Sequence, residues 1–266
     1  DVEGLPTERL KKFYQDFYYP NNATLIVVGD FQTKEALQKI QDKFGPIQKS
    51  EKPIPKVYTQ EPSQQGERRF TINRPGQLGI VNMGFHVPPK ESKDSYALYV
   101  LENLLSAGVS SRLNQALVES QLAVSTGAFN MQLRDPGLFV MDAKMASGAA
   151  HEDVEKAMYK VIDQLKSTLV GSEELKRVIS MMKANFVFEN HGTHALASSL
   201  SEFEASADWR YMASYLDNIK AVTPQDIQRV VKKYFIPSNR TVGYFVPQKV
   251  VEVDTTAGQF AYPEMK

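Results

Sequence analysis

The chain has 266 residues, 42% hydrophobic and 10% aromatic, which is enough apolar material for a sizeable core in one or two domains. Thirty-one basic residues balance 31 acidic ones, so charge gives no support for a general nucleic-acid or anionic-membrane surface. There are no cysteines, which excludes disulfides and thiolate metal sites, and no apolar run approaches the length of a membrane span.

Residues 7 to 19 read as a helix with Thr7 as N-cap, stopped by Pro20. "ATLIVV", from Ala23 to Val28, lacks polar alternation and reads as a strand made for burial on both faces of a sheet. "TKEALQKIQDKFG" is an amphipathic helix with Ala36, Leu37, Ile40 and Phe44 on one side and Gly45 as its stop. Residues 46 to 67 are rich in Pro, Lys, Gln and Ser without an apolar period and read as an interdomain linker.

"RRFTINRP" and "LGIVNMGFHVPP" then read as strands, followed by a helix capped by Ser92 and ended by Gly108. "SSRLNQALVES" is a short helix. "LAVSTGAFNMQ" and "GLFVMDAKMA" form a hairpin across "RDPG". The next amphipathic helix places Val154, Ala157, Met158, Val161, Ile162 and Leu165 on its apolar side. A long helical region from about Ser172 to Ala221 is broken near "HGTH". Strands alternating with groups of helices give an α+β fold class: an antiparallel or mixed sheet with helices packed on one face.

The last unit of the chain nearly repeats the first. "FYYPNNATLIVVG" at 17 to 29 faces "YFIPSNRTVGYFV" at 234 to 246, with Pro20 on Pro237, Asn22 on Asn239 and Thr24 on Thr241. Upstream, Leu10 falls on Ile227 and Phe13 on Val230 at helical spacing. Chance likeness of a common helix–proline–strand joint is the competing explanation. The spacing is too long for a solenoid unit and is the size of a whole domain. The expected organisation is therefore the C-terminal part of a first domain at 1–45, a linker at 46–67 and a complete homologous domain at 68–266.

No chemistry is legible in the residues taken alone. His191 and His194 are three apart, but Gly192 weakens the helix between them and no third His lies nearby, so they read as partly exposed helical residues. His86 sits at a strand end without a partner in sequence. No Gly-x-Ser-x-Gly elbow, phosphate-binding loop or dinucleotide fingerprint occurs, and Ser110 and Ser111 read as helix-cap residues.

The order of three segments carries a resemblance. "LKKFYQDFYYPNNATLIVVGDF", "GVSSRLNQALVESQLAVSTGAF" and "VTPQDIQRVVKKYF" together resemble the insulinase-like metallopeptidases, with mitochondrial processing peptidase and its two-chain bacterial relatives nearest in style. The resemblance spans nearly the whole chain. It implies tandem α+β domains of one fold. It also implies a zinc motif, His-x-x-Glu-His, in the first domain, where both His bind metal and the Glu activates water.

That motif is absent here, so the resemblance places zinc upstream of Asp1 in a parent chain and none in this fragment. Catalytic and metal-ligating residues are accordingly expected to be none, and substrate-binding residues are left open. The family's second domain also carries an Arg and a Tyr that help to hold a peptide. On this resemblance their positions are Val118 and Ser125, so both are missing, and Arg112 is structural. The implied function is the C-terminal fragment of a zinc endopeptidase subunit, inactive alone. The alternative is a non-catalytic assembly subunit, as in the core proteins of the respiratory bc1 complex. Expected partners are a peptide substrate and either a homologous subunit carrying the Arg/Tyr pair or a second copy of this chain, with no nucleic acid. The periplasm or cell envelope is expected from the resemblance only.

Overall fold

The computed structural model describes residues 4–56 and 61–248, so the linker positions 57–60 and the last part of the expected second domain, 249–266, lie outside the described residues. Two helices open the chain, α1 (Thr7–Phe17) and α2 (Thr33–Phe44), with a 3₁₀ turn at Pro20–Asn22 after the first. Strands β1 (Arg68–Pro75) and β2 (Ile80–Val87) lead to α3 (Asp94–Ser106), a π-helical turn at Asn114–Val118, and the hairpin β3 (Ala123–Asn130) and β4 (Gly137–Met145). Then come α4 (His151–Ser167), α5 (Ser172–Glu189), α6 (Thr193–Ser206), α7 (Trp209–Lys220) and α8 (Pro224–Tyr234). A second 3₁₀ turn at Pro237–Asn239 precedes β5 (Arg240–Gln248).

The five strands make one mixed sheet in the order β1-β5-β2-β4-β3. Only the β1–β5 pair is parallel. Along β2 and β4 every second residue is buried: Val81, Met83, Phe85 and Val87 on one, Phe139, Met141, Ala143 and Met145 on the other. That period of two is the mark of a sheet with one covered face. Helices α3, α4 and α8 lie on the covered face, and α5 and α7 pack outside α3. Phe235 is the centre of this core, with its ring 4.5 Å from Phe85 and 5.0 Å from Phe139. The opposite face is open, and Phe70, Ile72 and Phe129 stand exposed on it.

The helix and the turn at one end of the chain match those at the other. Helices α1 and α8, and the two 3₁₀ turns, coincide at the offset seen in the sequence, since Thr7 to Pro224 and Pro20 to Pro237 are both 217 residues. The turns are locked alike: the Asn22 side-chain amide donates to the Phe17 carbonyl at 2.9 Å, and that of Asn239 to the Tyr234 carbonyl at 2.8 Å. Burial separates them. Ile227 and Phe235 are 0% and 1% exposed, whereas their counterparts Leu10 and Tyr18 are 53% and 61% exposed.

Four local expectations need correction. Thr7 is the first helical residue, and Pro6 holds the N-cap position without a side-chain bond. The counterpart of Pro6 is Thr223, which forms a full capping box with Asp226. Helix α3 begins at Asp94 with Lys93 at its N-cap, although the Ser92 hydroxyl still accepts from the Asp94 amide at 3.3 Å. The long helical region is broken twice: at Gly192, where φ is 93°, and again between Ser206 and Trp209. Residues 23–28, expected as a strand, have no regular secondary structure and belong to no ladder, and Leu25 and Val27 are exposed. A strand needs a neighbour, and none of the five strands offers its edge to this segment.

Candidate functional site

The positions singled out for peptide holding fall on either side of a short connection. Val118 ends the π-helical turn, which packs on β3 and α4, and is half-buried. Ser125 lies on β3 opposite Lys144, beside a register shift between Ala123 and Ser125. A bulge of this kind re-aims side chains. Ser125 is exposed, and its pairing with Lys144 puts it on the open face of the sheet. Neither side chain can supply the hydrogen-bonding cation or phenol of an Arg/Tyr pair. Arg112 donates to both oxygens of Glu174, at 3.0 and 2.8 Å, and so ties the segment before the π-turn to α5. That is a structural use of the guanidinium.

The histidines stay dispersed. His191 and His194 flank the break at Gly192, so the shared helical face that a metal pair would need does not form. His151 bonds the Phe245 carbonyl at 2.9 Å and packs on Tyr244. Among the described residues no group of three His, Cys, Asp or Glu could hold a metal ion. The described residues therefore do not fit a zinc site.

A cavity of about 400 Å³ lies between α3, α5, α6 and the end of β3. Three helical stripes converge on it: Tyr99 and Glu102 from α3, Phe186 and Glu189 from α5, Glu202 and Phe203 from α6. Glu102 accepts a hydrogen bond from the Asn130 amide at 3.0 Å. Burial outweighs that bond and raises the Glu102 carboxyl to about 7. Tyr99 is raised too, by burial first and then by the nearby charges of Glu102, Glu189 and Glu202.

Lys90 is 4% exposed, donates to the Ser206 hydroxyl at 2.7 Å and sits 4.1 Å from the Phe203 ring centre. Burial lowers its pKa, with partial opposition from Glu202. No sequence reasoning pointed to this cluster, because its members come from positions 90 to 215 and each looks ordinary on its own element. Glu102 was the one visible signal, a carboxylate inside the apolar run of α3.

The comparisons with known proteins fit this arrangement. The family model for the peptidase M16 inactive domain matches residues 5–182. The chain belongs to the peptidase M16 inactive-domain family. Zinc protease PqqE of Helicobacter pylori is 28% identical over 250 residues, covering 93% of this chain and 56% of that protein. A crystal structure of a protease from Helicobacter pylori superposes with a TM-score of 0.86 at 28% identity, over 92% of this chain and 60% of that one. The periplasmic protease PqqL from Escherichia coli has the same fold, with a TM-score of 0.72 at 17% identity over 93% of this chain and 29% of that one. The chain thus spans about half the length of the PqqE protein it matches.

Proposed function

We propose that this M16 inactive-domain chain is the non-catalytic part of a zinc endopeptidase subunit. Its residues 1–45 complete a first, zinc-bearing domain; residues 46–67 link it to the second domain at 68–266. The observation that carries the reading is the orphaned repeat. α1 and its 3₁₀ turn have the geometry of α8 and its turn but not their burial, and residues 23–28, the counterpart of the β5 residues, form no strand. Strand β5 lies between a parallel and an antiparallel neighbour. Residues 23–28 call for two such neighbours from a preceding domain.

In the parent, zinc would supply the water nucleophile for peptide hydrolysis, and this part would serve as a wall of the chamber that holds the peptide. Val118 and Ser125 in place of an Arg/Tyr pair support a partner that brings the pair: a homologous subunit or a second copy of this chain. A periplasmic or envelope location is supported by the likeness to PqqL, which is described as periplasmic.

The test is the coding sequence preceding Asp1 together with the purified whole product. A His-x-x-Glu-His motif, one bound zinc per chain and chelator-sensitive turnover of a fluorogenic peptide are expected. A parent without that motif overturns the proposal and leaves the assembly-subunit reading.

A further inference from the structure

We propose that the cavity between α3, α5 and α6 binds an organic cation, an ammonium or guanidinium group of the kind carried by a basic side chain or a polyamine. This inference is independent of the peptidase reading, since it uses only groups within residues 90 to 215.

The first argument is charge. Glu102, Glu189 and Glu202 all line the cavity, and none of them forms an ion pair among the described residues. Elsewhere in the molecule several partly buried acids are answered, Glu155 by Arg69, Glu174 by Arg112, Asp94 by Arg229 and Lys233, while Asp142 stands alone and is not joined by other acids around a cavity. Three unanswered carboxylates around one space favour a positive occupant. Lys90 offsets only one of them. It is held at the Ser206 and Phe203 end, and Glu202 is the carboxylate whose charge it feels.

The second argument is the walls. Phe186 stacks on Tyr215 at 4.8 Å between ring centres, Tyr99 lies 6.0 Å from Tyr215, and Phe203 lies 6.1 Å from it. Aromatic faces attract cations, most strongly where water is displaced. Lys90 already uses the Phe203 face in this way, so these walls accept an ammonium.

The third argument is unused hydrogen-bonding capacity. Asn130 is 4% exposed and lines the cavity, yet its carboxamide has no hydrogen-bond partner among the described residues. The Asn190 side chain donates to the Phe186 carbonyl, but its oxygen is enclosed and accepts nothing. Buried polar groups are normally satisfied, and an unmet acceptor beside carboxylates suits a ligand rich in N–H donors. The simpler account is a water-filled groove with two solvated glutamates. It covers Glu189 and Glu202, which are exposed, but not buried Asn130 with half-buried Glu102 beside it.

Agmatine and spermidine are the free-cation probes. A short arginine peptide and its citrulline twin test whether the cation arrives on a chain. The 266-residue chain, labelled with ¹⁵N, is titrated with each while the side-chain amides of Asn130 and Asn190 are followed by NMR. At least one cationic probe is expected to shift both amides. Glu102→Gln and Glu189→Gln, made separately, should each weaken that probe by about tenfold, the loss of one charged hydrogen bond. A response to the arginine peptide alone assigns the site to a basic side chain; a response to the free cations assigns it to polyamines; both support the proposal. Three results overturn it: no cationic probe moves the amides, the shifts survive both substitutions, or the citrulline peptide binds as well as the arginine one.

Discussion

Glu102 and Glu155 are both carboxylates on helices, and their surroundings push them in opposite directions. Burial raises Glu102 to about 7. Burial would raise Glu155 as well, but hydrogen bonds from Arg69 and Tyr244 outweigh it and hold that group at about 2. The stability consequences have opposite signs. Folded Glu102 keeps a proton that the unfolded chain has released between pH 4.5 and about 7, so its contribution is lost as pH rises through that window. Glu155 contributes stability above its unfolded value that is lost as pH falls towards about 2. Glu102→Gln should therefore stabilise the chain by about 2–3 kcal/mol at pH 8 and by almost nothing at pH 4. Urea unfolding at the two pH values measures this, and an equal effect at both would mean that Glu102 is not desolvated.

At the level of elements, α1 and α8 form a controlled comparison within one chain. The helices have the same length, the same following turn and apolar residues in the same phase. In α8 these residues meet β2, α3 and α4, and Ile227, Val230 and Val231 are buried. In α1 no residue is buried. Ile227→Ala should cost about 3 kcal/mol, as large-to-small changes in a packed core do. Leu10→Ala, at the equivalent position, should cost less than about 0.5 kcal/mol in this chain. Both are read from urea midpoints. If Leu10→Ala matched Ile227→Ala, α1 would already own a core, and the case for a missing first domain would fall.

The molecule as a whole is uneven. Val81, Leu101, Phe139 and Ile227 are fully enclosed in one part, while Leu10, Phe13, Tyr14, Tyr18, Leu25 and Phe44 are exposed in the other. Apolar side chains left in water forgo about 1.5–3 kcal/mol each, and an unpaired extended segment is an open template for pairing. The 266-residue chain is expected to self-associate with rising concentration in sedimentation runs, whereas a chain starting at Gly66 stays monomeric. Monomers for both at all concentrations would show that residues 4–45 have found shelter within the chain.

The sequence alone determined most of the strands and helices and the repeat, because each rests on local spacing: period two in β2 and β4, helical phase in α4 and α8, and the Pro-x-Asn-x-Thr joint at both ends; the order of three segments carried the family resemblance. Tertiary structure decided the rest. It set the strand order, with β5 between β1 and β2, and left Leu25 and Val27 without a sheet. It also gathered Lys90, Glu102, Asn130, Glu189 and Glu202 around one cavity. Local periodicity fixes which face of an element is apolar, but not which distant element covers it. Charges from three helices and the loop before α3 become a site only when packing desolvates them together.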